Sequence, residues 1–409
     1  MNLLHYFAPC PRGLEQALAD ELRALGAQVD ATPGGGVAFS GDHATGYLAN
    51  LHTRIASRVL LRIADGGYRD EEDLYRLARG CEWEHWFDVH RTLRVDVAAM
   101  RSPLRSLKFA TLRIKDAVVD RFRDRTGVRP SIDTEQPDVR IFGFLEERTA
   151  VLYVDLSGEP LFKRGWRSAR EDKGEAPLKE NLAAGLLSLA GWTPEQPLYD
   201  PFCGSGTIVI EAAQKALGIA PGLSRRFGFE NLLDFDTSLW ARLREDALRQ
   251  AQPGPQALAG LRIAASDIDP RALEQLERNA QRAGLPAGAL RFERCDVRDA
   301  QAPFAEPGLI VTNPPYGERL MLQQGADLAD DADSGWSEVG RAFKARFGGW
   351  RLWMLTSDPA LPRMLGMKER RRAPLFNGPI ECRLFGFEIF PPGEGPPRRG
   401  AAKLKPAEP

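Results

Sequence analysis

The spacing of apolar positions along the chain predicts alternating strands and helices. A short strand over Leu3 to Phe7 precedes a helix over Arg12 to Leu25, in which apolar residues recur every three or four positions. Two short strands near Val29 and Val37 complete this first unit. Alternation of this kind indicates a sheet covered by helices rather than a helical bundle.

The same pattern continues to residue 156 as a second α/β unit. Its predicted elements are a helix near Tyr47 to Thr53, a strand Arg58 to Ile63, a helix Glu71 to Ala78, a strand Leu93 to Ala98, a helix Lys108 to Arg125 and strands Val139 to Leu145 and Ala150 to Leu156. We therefore expect one unit over residues 1–45 and a second over 46–156.

Residues 157–177 are rich in glycine, lysine, arginine and proline, and we interpret them as a linker. A new α/β series over 178–390 follows, interrupted by an insertion at 218–260 that we predict to be irregular. Residues 391–409 are dense in proline and glycine without periodicity, which predicts a disordered tail.

The composition is that of a folded protein, with 43% hydrophobic and 27% charged residues in a chain of 409. That length suggests two or three domains. No run of about 18 apolar residues and no signal-peptide pattern occurs, so we expect a cytoplasmic protein without a membrane partner. The five cysteines form no CxxC pair, and all five histidines precede residue 91. Chemistry in the C-terminal part is therefore expected to need no histidine base and no metal.

The formal net charge of −1 conceals a basic band, which we define as residues 91–129 and which holds eleven Arg or Lys against four Asp. This band predicts contacts with a nucleic acid, at Lys108, Arg113 and Lys115. A solvated helix face would produce the same pattern, because Arg113 can pair with aspartates on its own helix.

A second basic cluster consists of Lys163, Arg164 and Arg167 around Trp166, continuing to Arg170 and Lys173. Guanidinium groups beside an exposed indole suit phosphates and unstacked bases, so we expect this cluster to contact nucleic acid as well. An ordinary linker could have the same composition.

The sequence DPFCGSGT, residues 200–207, places a strand end, a glycine turn and a helix start within eight residues. Gly204 and Gly206 would let the backbone pass close to a ligand. Neither GxGxxG nor GxxxxGK[ST] is present, so a pyrophosphate is not the expected ligand. Asp200 would repel phosphate but could hold an ammonium group, which predicts a cofactor with an amino-acid part.

Three further strands end in polar residues that would meet at the same sheet edge. In SDIDP, Asp267 could take both hydroxyls of a ribose, and in CDV, Asp296 could accept from an adenine amino group. The fourth strand ends in NPPY, residues 313–316. Each motif alone is typical of a turn or helix cap, but four in strand order predict one pocket. The expected cofactor-binding residues are Asp200, Phe202, Gly204, Gly206, Thr207, Asp267, Ile268, Asp269, Asp296, Val297 and Asn313.

Together, DPFCGSGT, SDIDP, CDV and NPPYGERL resemble a class I S-adenosylmethionine-dependent methyltransferase that acts on an exocyclic or amide nitrogen. With APLKENLAA at 176–184, the chain is similar to the bacterial large-subunit ribosomal RNA guanine-N2 methyltransferases and their tRNA relatives. Residues 7–22, 107–122 and 161–167 resemble the N-terminal part of that family, which carries a ferredoxin-like unit and an RNA-binding THUMP domain. The resemblance implies an α/β fold with a Rossmann-like methyltransferase sheet behind these two units. It also implies that the insertion at 218–260 belongs to the family pattern.

For such an enzyme, Asn313 and the carbonyl of Pro314 would accept the two hydrogens of the target amino group. Pro315 would stiffen the turn, and Tyr316 would stack on the flipped base. The expected cofactor is S-adenosylmethionine, and the expected partner is RNA, with ribosomal RNA, free or in a precursor particle, favoured over tRNA.

Three other functions stay open on the sequence: a DNA adenine-N6 methylase, a protein glutamine-N5 methyltransferase and an RNA-binding assembly factor without catalysis. The basic band argues against a protein glutamine-N5 methyltransferase. The complete set of four strand-end loops argues against an assembly factor without catalysis. Some family members continue into a second methyltransferase domain; this chain ends before one, so we expect a single reaction.

Overall fold

The computed structural model describes residues 3–167, 178–252, 255–315, 332–391 and 393–394. Within these ranges the strands form two seven-stranded sheets. None of the described helices combines the length and apolar character needed to cross a membrane.

The first sheet contains the strands of the N-terminal 155 residues. They are β1 (Leu4–Pro9), β2 (Gln28–Ala31), β3 (Gly36–Gly41), β4 (Leu60–Gly67), β5 (Leu93–Ala99), β6 (Val139–Leu145) and β7 (Thr149–Asp155). Their order is β2-β3-β1-β4-β7-β6-β5, and only β5 and β6 pair in parallel among them. The two N-terminal units predicted from the sequence therefore share one continuous sheet, joined where β1 pairs with β4.

Four helices accompany this sheet: α1 (Glu15–Ala24), α2 (His43–His52), α3 (Glu71–Gly80) and α4 (Leu107–Thr126). Asp42, Asp70 and Ser106 cap the starts of α2, α3 and α4 by accepting backbone hydrogen bonds. Gly127, with φ of 74°, ends α4 in the left-handed conformation that glycine tolerates best.

The second sheet contains β8 (Leu198–Asp200), β9 (Ile263–Asp267), β10 (Arg291–Arg294), β11 (Leu309–Thr312), β12 (Arg351–Thr356), β13 (Arg371–Asn377) and β14 (Ile380–Glu388). Their order is β10-β9-β8-β11-β12-β14-β13. The first five strands in this order are parallel, and β14 is antiparallel to both β12 and β13. Parallel strands buried on both faces explain the almost uninterrupted apolar runs in β8 and β11.

The helices of this part are α5 (Glu180–Leu189), α6 (Thr207–Ala216), α7 (Thr237–Gln250), α8 (Pro255–Ala259), α9 (Pro270–Arg282), α10 (Ala332–Arg346) and α11 (Leu361–Met364). Helix α6 starts directly after the glycine turn and is buried over nearly its whole length.

The insertion at 218–260 is not irregular, which corrects the expectation from sequence. It contains a short 3₁₀ helix at Gly228–Asn231 as well as α7 and α8. Phe229 stacks on Tyr47 of α2 with ring centroids 4.4 Å apart, and Trp240 of α7 meets Phe229 edge-on at 5.0 Å. The aromatic run around Phe227, Phe229 and Phe235 has no helical periodicity, because its side chains pack against another part of the chain rather than along one helix face. In α7 the apolar residues do recur at helical spacing.

A buried ion cluster joins the N-terminal half to α6. The carboxylate of Glu211 on α6 is fully buried and accepts hydrogen bonds from Arg54 at 3.2 Å and from Arg164 at 3.1 Å. Arg54 lies just after α2, and Arg164 lies in the predicted linker. Arg164 also donates to the carbonyl of Arg54 at 2.6 Å, so the two guanidinium groups are held together around one carboxylate.

We expect Glu211→Ala to destabilise the protein by about 3–5 kcal/mol, because it removes the carboxylate that both buried guanidinium groups bind, while the nearby Glu21 is hydrogen-bonded to backbone amides. Thermal unfolding measures this loss. Glu245→Ala is the matched control, since the side chain of Glu245 on α7 is 68% exposed. Equal melting temperatures for the two variants would contradict a structural role for the buried cluster.

Candidate active site

The carboxyl ends of β8 and β11 are joined by a direct side-chain hydrogen bond. Thr312, the last residue of β11, donates from Oγ1 to Oδ1 of Asp200 at 2.6 Å. The amide of Phe202 donates to the same oxygen at 3.2 Å. Asn313 follows Thr312 directly, so this bond holds the start of the NPPY turn against the loop that begins at Asp200.

The carboxyl group of Asp200 is unusually basic for an aspartate. Burial raises its pKa to about 7, the negative charge of Asp267 acts in the same direction, and the hydrogen bonds from Thr312 and Phe202 lower it. A cationic group that entered the site would favour the ionised carboxylate and lower this pKa.

The glycine turn takes the conformation that its two glycines allow. Gly204 has φ of 50°, and its amide donates to Oδ2 of Asp267 at 2.9 Å. Gly206 has φ of 86°, and a Cβ there would lie 2.6 Å from Cγ of Leu276 on α9. A Cβ on Gly204 would meet no atom within 4 Å, so the backbone at this point borders open space.

At the end of β9, Asp267 accepts hydrogen bonds from the amides of Gly204 and Asp269. Burial raises the pKa of Asp267, and these backbone hydrogen bonds lower it. Asp269 caps α9 and forms an ion pair with Arg271 at 3.0 Å, which lowers its pKa. Ile268 between them is 39% exposed, an apolar side chain beside two carboxylates.

The end of β10 is engaged differently. Both carboxylate oxygens of Asp296 receive hydrogen bonds from the guanidinium of Arg298, which lowers the pKa of Asp296. A ligand that bonds to Asp296 would therefore share it with Arg298.

Two side chains near this edge are apolar. Val297, next to Asp296, is buried. The ring of Phe202, from the glycine loop, lies 6.1 Å from the ring of Trp336 on α10, measured between centroids.

Among the residues predicted to be catalytic, Asn313 is partly buried, Pro314 is buried and Pro315 is exposed. Tyr316 lies outside the described residues. In the ranges that the structure covers, no group of three or more His, Cys, Asp or Glu side chains could hold a metal ion.

The residues predicted to contact nucleic acid fall into two groups. On α4, Lys108 is exposed, whereas Arg113 pairs with Glu72 at 2.5 Å and Lys115 with Asp116 at 2.7 Å. In the second cluster, Lys163 is exposed and pairs with Glu159 at 2.7 Å.

The prediction of an RNA-contacting surface at Arg164, Trp166 and Arg167 is wrong. Arg164 is 3% exposed and bound to Glu211, and Trp166 is 2% exposed against Ile210 and Ala283. Arg167 is largely buried too: it donates to the carbonyl of Leu178 at 2.8 Å and to the hydroxyl of Thr207. These side chains looked exposed because their partners are distant in sequence. Arg170 and Lys173 lie outside the described residues.

The sequence did not reveal Thr312, Glu211, Arg54 or Glu180 as parts of this region. Arg167 reaches Glu180 at the start of α5 at 3.4 Å, beside its bond to Thr207 at the start of α6. A glutamate within the apolar helix face IVIEAA was the one available signal, since such a carboxylate needs a buried partner.

The arrangement fits a cofactor with an amino-acid part and a nucleoside part. It supplies a buried carboxylate for an ammonium group, an open glycine turn, a second carboxylate at Asp267 and an apolar side chain at Ile268 for a flat base. The predicted cofactor-binding residues on β8, β9 and β11 meet at one edge of the sheet, as parallel neighbouring strands require.

Three family models match consecutive parts of the chain. They are an RlmL ferredoxin-like domain over residues 5–60, a THUMP domain over 68–155 and an RMKL-like methyltransferase domain over 167–385. These matches confirm the predicted fold class. The domain boundaries predicted from the sequence, at 45, 156, 177 and 390, stay predictions.

Two curated relatives are similar over most of the chain. A ribosomal RNA large subunit methyltransferase K/L of Syntrophotalea carbinolica is 42% identical over 94% of this chain and 54% of its own length. The chain thus spans about half the length of the K/L relatives that it matches. A Synechocystis protein named as an RNA methyltransferase, slr0064, is 37% identical over 94% of this chain and 97% of its own length.

Solved structures show the same arrangement of domains. The structure of SMU.472, described as a methyltransferase complexed with SAH, has a TM-score of 0.82 at 29% identity, covering 95% of this chain and 98% of that one. A Listeria monocytogenes protein, named as an N6-adenine-specific DNA methylase, has a TM-score of 0.81 at 29% identity, covering 95% of this chain and 96% of that one.

The pKa of Asp200 predicts a pH-dependent stability difference between the wild type and Asp200→Asn. Because burial raises this pKa from 3.8 to about 7, the folded protein binds a proton that the unfolded chain has released, and stability falls as the pH rises through that interval. Asparagine retains an oxygen for Thr312 and cannot ionise. Without cofactor, the melting temperature of Asp200→Asn relative to wild type should therefore increase from about pH 5 to about pH 8. A difference that does not change with pH would contradict the raised pKa.

Proposed function

Because the chain belongs to the family of RMKL-like methyltransferases, we propose that it transfers a methyl group from S-adenosylmethionine to the exocyclic N2 of a guanine in structured RNA, with 23S ribosomal RNA as the preferred substrate. Family membership rests on the methyltransferase model over residues 167–385, together with the THUMP and ferredoxin-like matches. The protein would meet such an RNA in the cytoplasm, which is where we propose that it acts.

The observation that carries the proposal is the hydrogen bond between Thr312 and Asp200. It connects the loop suited to a cofactor with the turn suited to an amino group on a base. A catalytic turn and a cofactor loop must be adjacent for direct transfer between two bound molecules, because positioning supplies much of the rate.

In this proposal, Asp200 would hold the ammonium group of the cofactor and Asp267 would hold the ribose hydroxyls. Gly204, which borders open space, would leave room for the methionine part, and Gly206 and Thr207 would complete the loop around it at the start of α6. Ile268 and Val297 would flank the adenine. Asp296 would accept a hydrogen bond from the adenine amino group through a carboxylate lone pair that Arg298 does not use. The cofactor supplies an activated methyl group on a positively charged sulfur.

The chain's own residues prepare the target nitrogen. The lone pair of a guanine N2 is delocalised into the ring, so the amino group is a weak nucleophile. The side-chain oxygen of Asn313 accepts a hydrogen bond from one N–H of the amino group, and the carbonyl of Pro314 accepts one from the other N–H. These two bonds favour tetrahedral geometry at N2 and localise its lone pair. Pro314 and Pro315 restrict the backbone of this turn, and Tyr316 stacks on the base.

Ribosomal RNA is preferred over tRNA as the substrate because the relative that is 42% identical is named as a large-subunit ribosomal RNA methyltransferase. That relative is nearly twice as long, so its complete activity is not assumed for this chain.

A second candidate, methylation of adenine N6 in DNA, is supported by the name of the Listeria neighbour. The THUMP match favours RNA over DNA.

Transfer of labelled methyl groups tests the proposed function. Protein-free 23S RNA, large ribosomal subunits, tRNA and double-stranded DNA are each incubated with the full chain, and the product is digested to nucleosides. We expect N2-methylguanosine from 23S RNA and little label in tRNA or DNA. N6-methyladenine in DNA, without label in RNA, would contradict the proposal.

Asn313→Ala should lower the rate of methyl transfer by at least a hundredfold, because it removes one acceptor that orients the amino group. Its cofactor affinity, measured by calorimetry, should fall much less than its turnover, because Asn313 is only one of several residues expected to border the cofactor. Asp267→Ala is the matched comparison and should weaken cofactor binding instead. Wild-type turnover in Asn313→Ala would exclude the proposed role of that residue.

A further inference from the structure

The structure divides the cations of the basic band, residues 91–129, into paired and unpaired groups. Seven have a carboxylate within ion-pair distance: Arg91, Arg94, Arg113, Lys115, Arg121, Arg123 and Arg125. The other four, within the described part of the chain, have none: Arg101, Arg105, Lys108 and Arg129. Three of these four lie within eight residues of one another.

Three of the four unpaired cations, Arg101, Arg105 and Lys108, lie on one short segment, residues 100–112, which we name the loop–helix surface. It consists of the turn after β5 and the first turns of α4. All three cations are exposed, and no acidic residue occurs from Val97 to Lys115. The segment also exposes four apolar side chains: Met100 at 45%, Leu107 at 38%, Phe109 at 50% and Leu112 at 42%.

Hydrogen bonds hold this segment in place. The hydroxyl of Tyr68 lies 2.7 Å from the hydroxyl of Ser102, whose oxygen also accepts from the amide of Leu104 at 3.3 Å. Ser106 caps α4 by accepting from the amide of Phe109 at 3.2 Å. Arg101 has φ of 60°, the one positive value for a non-glycine residue among those described. A strained backbone that its surroundings maintain is typical of functional sites.

We infer that the loop–helix surface is the RNA-docking site of this protein, with Arg101, Arg105 and Lys108 on backbone phosphates and Phe109 stacked on an unpaired base. The inference rests on the proposed function and names the surface that brings the substrate. Cations without carboxylate partners are free to bind phosphate, whereas paired ones would first have to give up their partners.

The mixture of side chains favours RNA with an unpaired nucleotide over a regular duplex. Phosphates alone would need only the cations. An exposed phenylalanine beside them offers a stacking face, and unpaired bases in loops and ends are what proteins usually stack upon in RNA. The paired residues Arg113 and Lys115, although on the same helix, are predicted to contribute less.

Two triple variants with the same loss of charge test this surface. The test variant is Arg101→Ala, Arg105→Ala and Lys108→Ala. The control is Arg69→Ala, Arg123→Ala and Arg125→Ala, three arginines of the same unit that are exposed but ion-paired. Circular dichroism and thermal unfolding of the full-length variants establish that both are folded.

Fluorescence anisotropy measures binding to a fragment of 23S RNA that the wild type methylates, a hairpin with an unpaired flank. We expect the test variant to bind at least tenfold more weakly and the control less than threefold. The slope of log affinity against log salt should decrease by about 2 to 3 in the test variant, since each lost phosphate contact removes about 0.7 to 0.9. Equal losses in the two variants would overturn the inference.

Phe109→Ala separates stacking from charge. It should weaken binding of the hairpin with the unpaired flank about tenfold and leave binding of a blunt RNA duplex unchanged. Equal effects on both RNAs would overturn the stacking role. Vesicles containing phosphatidylserine are the alternative partner: loss of vesicle binding in the test variant, with RNA binding intact, would assign this surface to a membrane instead.

Different experimental results would contradict the inference and the proposed function. If the wild type methylates no RNA, the proposed function fails. If the wild type methylates RNA and the test variant binds and methylates it at the wild-type rate, the loop–helix surface is not the docking site.

Discussion

The burial of Glu211 is the constraint on which the arrangement of the two halves depends. A carboxylate without contact to water must be matched by positive charge, and here two arginines provide it from different parts of the chain. Arg54 comes from the N-terminal half and Arg164 from the connecting segment. Glu211 itself lies on α6, the helix that begins at the glycine turn. The N-terminal half is therefore docked directly on the element that shapes the cofactor loop.

This docking has a consequence for how a large substrate reaches a small site. An RNA bound to the N-terminal half is held in a fixed relation to the edge of the second sheet as long as the cluster stays intact. Arg167 adds a contact with Thr207 at the first residue of α6. Because the aromatic side chains of the insertion pack on α2, the two halves meet at a second place as well. Arg164 and Arg167 of the connecting segment thus serve the contact between the halves. Three unpaired cations of the basic band lie elsewhere, on residues 100–112.

The sequence predicted the second sheet well because parallel strands have a strong local pattern. The strands before Asp200, Asp267 and Asn313 were apolar runs that ended in polar motifs, so these three residues could be placed at one edge before any contact was known. Strand β13 was not predicted, and β10 is exposed along its whole length. Arg164 and Trp166 could not be placed in this way. Their partners, Glu211 and Ile210, are more than 40 residues away, and a stretch of Lys, Arg and Gly looks the same whether it is exposed or buried. The helix α7 is a different case: Leu239, Trp240, Leu243 and Ala247 recur at helical spacing after the capping residue Asp236, so its signal was present in the sequence.

Native-state hydrogen exchange tests the docking of the two halves most directly. The amides of Arg54 and Ile55, which bond to Glu21, and those of α6 around Glu211 are followed at increasing denaturant below the unfolding transition. If the buried cluster unites the halves, both sets should exchange through one opening with the same free energy and the same denaturant dependence. Exchange of the N-terminal amides at much lower denaturant, while those of α6 stay protected, would show that the halves open independently and would contradict this account.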